Sequence, residues 1–147
     1  MHATKILFPT DFSPASQEAM SWATSLARDT GATLLIMHVE EPPMAYGGGE
    51  LYIDVQDNER EDLRKALVNV VPLDHQVPFE HKLLVGDPAT AIVETADNEH
   101  VDLIVMGTHG RTGLTRLLMG SVAESVVRKA NCPVLTIKQP ANVPAHV

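Results

Sequence analysis

The sequence contains little of what is typical of secreted, membrane-spanning or nucleic-acid-binding proteins. Its 147 residues include one cysteine, Cys132, which excludes an internal disulfide and agrees with a reducing compartment. No apolar run approaches the roughly 18 residues that span a membrane, and the first residues lack the features of a signal peptide. The formal net charge of -8 disfavours nucleic-acid binding, which needs a basic surface. We therefore expect a cytoplasmic protein that contacts neither membrane nor nucleic acid.

Aromatic residues are also scarce, at 4% of the chain against 44% for hydrophobic residues as a whole, which predicts an aliphatic core. Short apolar runs that suit buried strands alternate with segments of helical periodicity. The predicted strands cover residues 4–9, 33–39, 79–85, 103–106 and 132–138, and the predicted helices cover residues 14–29, 51–71, 88–98 and 122–129. This alternation predicts a single-domain, three-layer, Rossmann-like α/β sandwich over residues 1–139, in which helices cover both faces of a five-stranded parallel sheet. Residues 140–147 are predicted to form a flexible tail.

Local signals mark where several of these elements begin and end. Ser13-Pro14 and Asp87-Pro88 each read as a helix N-cap followed by proline at the first helical position, where its missing N–H costs nothing. Gly31 follows the first helix, where a left-handed residue commonly closes the last turn. The three glycines at 47–49 predict a mobile loop, and the charged residues 57–60 are predicted to face solvent.

The most informative stretch begins with the apolar strand at residues 103–106. Gly107, Gly110 and Gly113 follow it, a short helical turn is predicted at residues 114–119, and Gly120-Ser121 precede the last helix. Glycines let the backbone approach a ligand and take up positive φ, while a helix start offers unpaired N–H groups and a positive dipole end. Phosphate suits those properties best. Taken singly, each glycine also reads as an ordinary turn glycine.

The spacing Gly107-x2-Gly110-x9-Gly120-Ser121 resembles the G-2x-G-9x-G-(S/T) signature of the ATP-binding branch of the universal stress proteins. The resemblance covers nearly the whole chain, because the opening strand with residues 9–11, the strand end at 38–39 and the closing strand that starts with residues 132–134 also fall where that family has them. It implies the strand order 3-2-1-4-5, which places strands one and four side by side at the topological switch point. Ligands of open α/β sheets bind at that crevice, beyond the carboxyl ends of the strands.

The resemblance implies ATP or AMP as the ligand and places its binding residues at these strand ends and in the glycine loop. Val39 would meet the adenine edge through its backbone, and Asp11 would lie by the ribose and phosphates, where it could hold Mg²⁺. From the sequence alone, Asp11 reads as a capping or turn residue, and Arg111 and His109 read equally as phosphate contacts or as exposed loop residues. The implied site consists of Pro9, Thr10, Asp11, Val39, Met106, Gly107, Thr108, His109, Gly110, Arg111, Thr112, Gly120, Ser121 and Val122.

The sequence gives little support for other kinds of nucleotide site, for a metal site or for a catalytic centre. The chain has no G-x-x-x-x-G-K-[ST] motif and no G-x-G-x-x-G after its first strand, so a P-loop enzyme and a classical NAD enzyme are disfavoured. Its seven histidines lack metal-ligand spacing, and His38 is predicted to be a core or pocket-wall residue. No pair of nucleophile and base stands out.

Three functions follow as hypotheses. The first is an adenine-nucleotide-binding regulator in the stress response. The alternatives are a weak Mg²⁺-dependent ATP hydrolase or phosphoryl-transfer enzyme, and a structural dimer of the family's nucleotide-free branch. An apolar edge at residues 134–138 predicts a homodimer through this last strand, since pairing with a second copy would satisfy both edges. The family resemblance implies the same dimer.

Overall fold

The computed structural model describes residues 2–42, 50–108 and 119–138, without the side chains of residues 50–57. The predicted glycine loop at residues 47–49, the tail at 140–147 and most of the predicted turn at 114–119 lie outside these ranges. Within them, no helix is both long and apolar enough to cross a membrane.

The strands form one parallel sheet in the order that the family resemblance implies. They are β1 (Lys5–Pro9), β2 (Thr33–Glu40), β3 (Phe79–Val85), β4 (Leu103–Gly107) and β5 (Val134–Ile137). Their order across the sheet is β3-β2-β1-β4-β5, and every neighbouring pair is parallel. The last strand starts two residues later than predicted, after Pro133, which has no N–H to donate to a ladder.

Four helices connect the strands: α1 (Pro14–Thr30), α2 (Glu50–Val68), α3 (Pro88–Asn98) and α4 (Ser121–Lys129). The predicted caps are present, because Ser13 Oγ accepts from the Ser16 N–H and Asp87 Oδ2 accepts from the Thr90 N–H. Gly31 closes α1 with a left-handed φ of 75°.

Helix α2 ends three residues earlier than predicted. The N–H groups of Asn69 and Val70 already donate three residues back, to Ala66 and Leu67, so the last turn tightens. Pro72 then disfavours helical backbone at the residue before it.

Helices cover both faces of the sheet, which confirms the three-layer sandwich. On one face, Ile6, Phe8, Ile36 and Val105 pack in one cluster with the buried side chains of α1 and with Leu67 of α2. On the other face lies a second cluster, formed by Leu7, Leu35, Met37 and Ile104 together with Ile92 of α3 and Val126 of α4. Burial on both faces explains why these strands are apolar throughout rather than alternating.

The sheet opens at its carboxyl end between β1 and β4. The ladder between these strands contains two residue pairs, Ile6 with Leu103 and Leu7 with Ile104, whereas β1 and β2 pair over five. The last residues of β1 and β4 therefore border a crevice at the topological switch point, where ligands of such sheets bind.

Candidate functional site

A cavity of about 670 Å³ lies at this crevice. It brings together ten of the fourteen residues predicted for the site, contributed by the ends of β1, β2 and β4 and the start of α4. These ten are Pro9, Thr10, Asp11, Val39, Met106, Gly107, Thr108, Gly120, Ser121 and Val122. The other four, His109, Gly110, Arg111 and Thr112, lie outside the described residues.

The loop between β1 and α1 forms one wall and is held in an uncommon backbone conformation. Thr10 is anchored to β2, because its N–H donates to the Met37 carbonyl at 2.8 Å. Phe12 has a φ of 66°, in the left-handed region that a bulky residue seldom adopts. Its N–H donates to Thr10 Oγ1 at 3.0 Å, which helps to offset this strain.

Asp11 has the turn geometry expected from the sequence and also lines the cavity. Its Oδ1 accepts hydrogen bonds from the Ser13 N–H at 3.0 Å and from the Ser16 hydroxyl at 2.8 Å. The carboxylate is thereby tied to the first turn of α1 while contributing to the cavity wall. A turn role and a ligand role are thus compatible for this residue.

His38 is a buried wall residue, as the sequence predicted. Its Nδ1 lies 2.7 Å from the Thr10 carbonyl oxygen, and its ring centroid lies 4.5 Å from that of Phe12. A carbonyl oxygen can only accept, so Nδ1 carries the hydrogen. The ring consequently links β2 to the β1–α1 loop through one hydrogen bond and one aromatic contact.

The start of α4 forms another part of the cavity wall. Gly120 is the N-cap, with φ -64° and ψ 155°, and its N–H donates to the Thr108 carbonyl at 2.7 Å. Ser121 and Val122 open the helix and line the cavity. The first N–H groups of a helix lack partners within it, and the dipole makes this end positive, so the cavity meets an anion-favouring surface here.

The two described glycines of the signature do not need positive φ. Gly107 instead permits close packing, because a Cβ there would lie 3.3 Å from the Ala15 carbonyl oxygen at the start of α1. Gly120 has extended backbone that other residues also adopt. Of the two properties that glycine offers, it is therefore close approach and not positive φ that Gly107 uses.

Further lining residues were missed by the sequence reasoning because they come from elements distant in the chain. The end of β2 and helices α2 and α3 supply an acidic and apolar wall. Its members are Glu40, Glu41, Glu59, Asp62, Leu63, Pro88 and Ile92. The charged residues 57–60 were the available sequence signal for this wall, but the pattern by itself predicted only a helix face exposed to solvent.

Part of that charged run in fact turns toward the sheet. Arg60 Nε lies 3.3 Å from Glu40 Oε2, and the Glu40 side chain is only 8% exposed. A buried carboxylate needs such a partner, since burial of an unpaired charge is costly. Within the described parts of the chain, no group of three or more histidine, cysteine or acidic side chains is placed to hold a metal ion.

The chain matches one protein family over nearly its whole length. The family model described as "Universal stress protein family" covers residues 2–138. The chain belongs to the universal stress protein family. It is 39% identical over 141 residues to universal stress protein MJ0531 of Methanocaldococcus jannaschii, covering 92% of this chain and 82% of the relative. It is 37% identical over 142 residues to universal stress protein A homolog 1 of Coxiella burnetii, covering 93% and 97%.

Solved structures of universal stress proteins share the fold. MJ0577 of Methanocaldococcus jannaschii superposes with a TM-score of 0.82 at 29% identity, over 95% of this chain and 99% of that one. A universal stress protein in complex with cAMP gives 0.60 at 28% identity, over 93% and 98%. The Archaeoglobus fulgidus universal stress protein in complex with dAMP gives 0.64 at 28% identity, over 94% and 100%. The predicted family is confirmed, and two of its similar structures hold adenine nucleotides.

Proposed function

We propose that this universal stress protein binds ATP or AMP in the 670 Å³ cavity and acts as a ligand-dependent regulator in the stress response. One observation carries the proposal: ten residues that the family resemblance assigns to a nucleotide site line a single cavity at the switch point. The complexes of two similar proteins with cAMP and dAMP support the same ligand class.

The cavity has a suitable size for such a ligand, with an apolar part and a helix start in its wall. Its volume lies within the range of about 300–1,000 Å³ found for small-molecule sites. Val39, Leu63, Ile92 and Met106 give it an apolar part that suits a purine ring. The start of α4 supplies N–H groups at another part of the wall, which suits phosphate.

These features suggest how the ligand is held. The backbone of Val39 would meet the adenine edge, and the N–H groups of Ser121 and Val122 would meet phosphate. The N–H of Gly120 donates to the Thr108 carbonyl, so Gly120 would contribute close backbone approach and not a donor. The Asp11 carboxylate would accept hydrogen bonds from ribose hydroxyls. Pro9, Thr10, Met106, Gly107 and Thr108 would complete the wall described above. Residues 109–112 are proposed to belong to the same phosphate loop, as the signature spacing indicates.

A Mg²⁺ ion would fit this arrangement only together with the nucleotide. Asp11 is one carboxylate in the cavity wall, and Mg²⁺ typically takes one or two carboxylates along with phosphate oxygens and water. The ion would neutralise phosphate charge, while Asp11 would hold it. Because ATP carries more phosphate charge than AMP, Mg²⁺ would matter more for binding ATP than for binding AMP.

Ligand binding is testable on the purified protein. Isothermal titration calorimetry with AMP, and with ATP plus magnesium, should show binding, and GTP should bind more weakly. A ligand specific to the native state adds about 2.7 kcal/mol of stability at a hundredfold excess over its dissociation constant, so the melting temperature should rise. Absence of both heat and thermal shift at millimolar AMP and ATP would contradict the proposal.

Slow Mg²⁺-dependent ATP hydrolysis or phosphoryl transfer is a second candidate, favoured by the carboxylate of Asp11 within the cavity. Phosphate release measured with ATP and magnesium distinguishes it from binding alone. The enzyme hypothesis requires turnover above background that disappears in Asp11→Asn, whereas a pure binding protein shows the same background rate in both.

We also propose that the protein is a cytoplasmic homodimer formed through residues 134–138. β5 is the last strand in the sheet order, and no described strand pairs with its outer edge. An unpaired edge invites pairing with another chain, and a two-fold axis would satisfy both copies at once. The single cysteine suits the reducing compartment that we propose.

A further inference from the structure

The hydroxyl of Ser16 is closely engaged with Asp11. Ser16 lies in the first turn of α1 and is 8% exposed. Its hydroxyl donates to Asp11 Oδ1 at 2.8 Å and accepts from the Asp11 N–H at 3.4 Å. One side chain thus contacts both the carboxylate and the backbone of the residue five positions earlier.

The same carboxylate oxygen accepts hydrogen bonds from two donors. Besides the Ser16 hydroxyl, the Ser13 N–H donates to Asp11 Oδ1 at 3.0 Å. Hydrogen bonds to an ionised acceptor are stronger than those between neutral groups. The carboxylate orientation is therefore set before any ligand arrives.

The next residue in the loop carries backbone strain. Phe12 has a φ of 66°, in the left-handed region that is unfavourable for a non-glycine residue. Such outliers collect at ligand sites, where the surrounding contacts hold a required geometry. Here the strained residue directly follows a carboxylate in the cavity wall.

We infer that Ser16 is a positioning residue, which holds the Asp11 carboxylate in the orientation that the hydroxyls of a bound nucleotide require. The inference rests on the proposed function. Without the Ser16 hydroxyl, the carboxylate would gain rotational freedom that binding must remove again. Ordering a side chain on binding costs affinity, and a preordered one avoids that cost.

A purely capping role does not account for the Ser16 hydroxyl. The N-cap of α1 is Ser13, whose side chain already accepts from the Ser16 N–H. Ser16→Ala retains that backbone donor. Ser16 also lies in the wall between the 670 Å³ cavity and a second cavity of about 410 Å³, so loss of its oxygen should disturb core packing little.

A double-mutant cycle tests the inference. The dissociation constant for AMP is measured by calorimetry for the unaltered protein, Ser16→Ala, Asp11→Ala and the double variant. Ser16→Ala should weaken binding about twofold to tenfold when Asp11 is present, the range expected for ordering one side chain. It should change nothing when Asp11 is absent, because the hydroxyl then has no carboxylate to orient.

Two further variants serve as controls. Ser21→Ala removes an exposed hydroxyl from the same helix and should bind AMP like the unaltered protein. Ser16→Cys replaces the hydroxyl with a weak donor and provides a second removal of the bond if Ser16→Ala does not fold. Circular dichroism and thermal unfolding without ligand show which variants are folded.

The outcomes distinguish failure of the positioning role of Ser16 from failure of the proposed nucleotide binding. Equal weakening by Ser16→Ala with and without Asp11 would overturn the inference, because Ser16 would then act independently of the carboxylate. Unchanged affinity in folded Ser16→Ala and Ser16→Cys would overturn it as well, while leaving nucleotide binding intact. Failure of the unaltered protein to bind AMP or ATP would instead overturn the proposed function, and this inference with it.

Discussion

Removal of the His38 hydrogen bond should loosen the β1–α1 loop. His38→Phe keeps a ring in place, where it can still contact Phe12, but removes the Nδ1–H that the Thr10 carbonyl accepts at 2.7 Å. Thr10 is only 6% exposed, so water has little access to replace the donor. A buried carbonyl would thus lose a hydrogen-bond partner.

The expected magnitude follows from that unpaired acceptor. Leaving a buried polar group unsatisfied costs about 1–3 kcal/mol of unfolding free energy. For a chain of this size, each kcal/mol corresponds to roughly 4 °C in melting temperature, which gives a decrease of about 4–12 °C. Nucleotide binding should weaken too. If the loosened loop must be ordered on binding at a cost of about 1.4 kcal/mol, the dissociation constant rises about tenfold.

His38→Asn provides the matched variant. The asparagine amide can place an N–H close to the former Nδ1, but it lacks the ring that contacts Phe12. This variant should lose packing stability and yet retain nucleotide affinity better than His38→Phe. Urea unfolding measures stability, calorimetry with AMP measures affinity, and nitrogen NMR shifts of the imidazole report whether Nδ1 carries the hydrogen.

Either of two results would contradict an anchoring role for His38. If folded His38→Phe matches the unaltered protein in both unfolding free energy and AMP affinity, the hydrogen bond to Thr10 does not anchor the loop. If NMR places the hydrogen on Nε2 in the neutral ring, Nδ1 has no hydrogen to donate and the proposed hydrogen bond to the Thr10 carbonyl is absent.

Three further outcomes are expected. Gly120→Val should abolish AMP binding in calorimetry, because the valine side chain would occupy the space where phosphate approaches the helix. Circular dichroism should stay native, because valine readily adopts the φ of -64° and ψ of 155° at this position. Asp11→Ala should weaken AMP binding less. Hydrogen bonds from the backbone N–H groups of Thr4 and Lys5 lower the pKa of Asp102. Its carboxylate therefore stabilises the fold at pH values above the ordinary pKa of about 4, and this contribution is lost as the pH falls through the lowered pKa. Urea unfolding between pH 7 and pH 3 should show a smaller loss for Asp102→Asn than for the unaltered protein, and an equal loss would contradict this. Light scattering should give twice 16.0 kDa, and Leu135→Pro should yield monomer or aggregate; a monodisperse unaltered monomer at micromolar concentration would refute the β5 interface.

Local sequence features predicted the elements well because their causes are local. The Ser13-Pro14 and Asp87-Pro88 caps act within one turn of helix, and both are formed as expected. Apolar runs long enough for strands indicated burial on both faces, and the two core clusters confirm it. The end of α2 was less predictable, because the apolar period continues to Val71 although the helix ends at Val68.

The strand order and the grouping of the site depended on the family resemblance. Spacing along the chain does not say which strands are neighbours, since hydrogen-bonded strands can be far apart in sequence. The resemblance to universal stress proteins implied the order 3-2-1-4-5, which the sheet has. It thereby placed Asp11, Val39 and Gly107 at one edge of the sheet, and all three line the cavity.

By itself, the sequence determined the alternation of strands and helices, the aliphatic core and the position of a glycine-rich connection after a buried strand. Only the tertiary structure decided that Arg60 pairs with Glu40, that Ser16 and His38 hold the β1–α1 loop, and that Gly107 is small because Ala15 packs against it. The physical reason is the range of the interactions. Capping and periodicity act between residues a few positions apart, whereas cavity walls and buried polar pairs arise only when distant elements pack together.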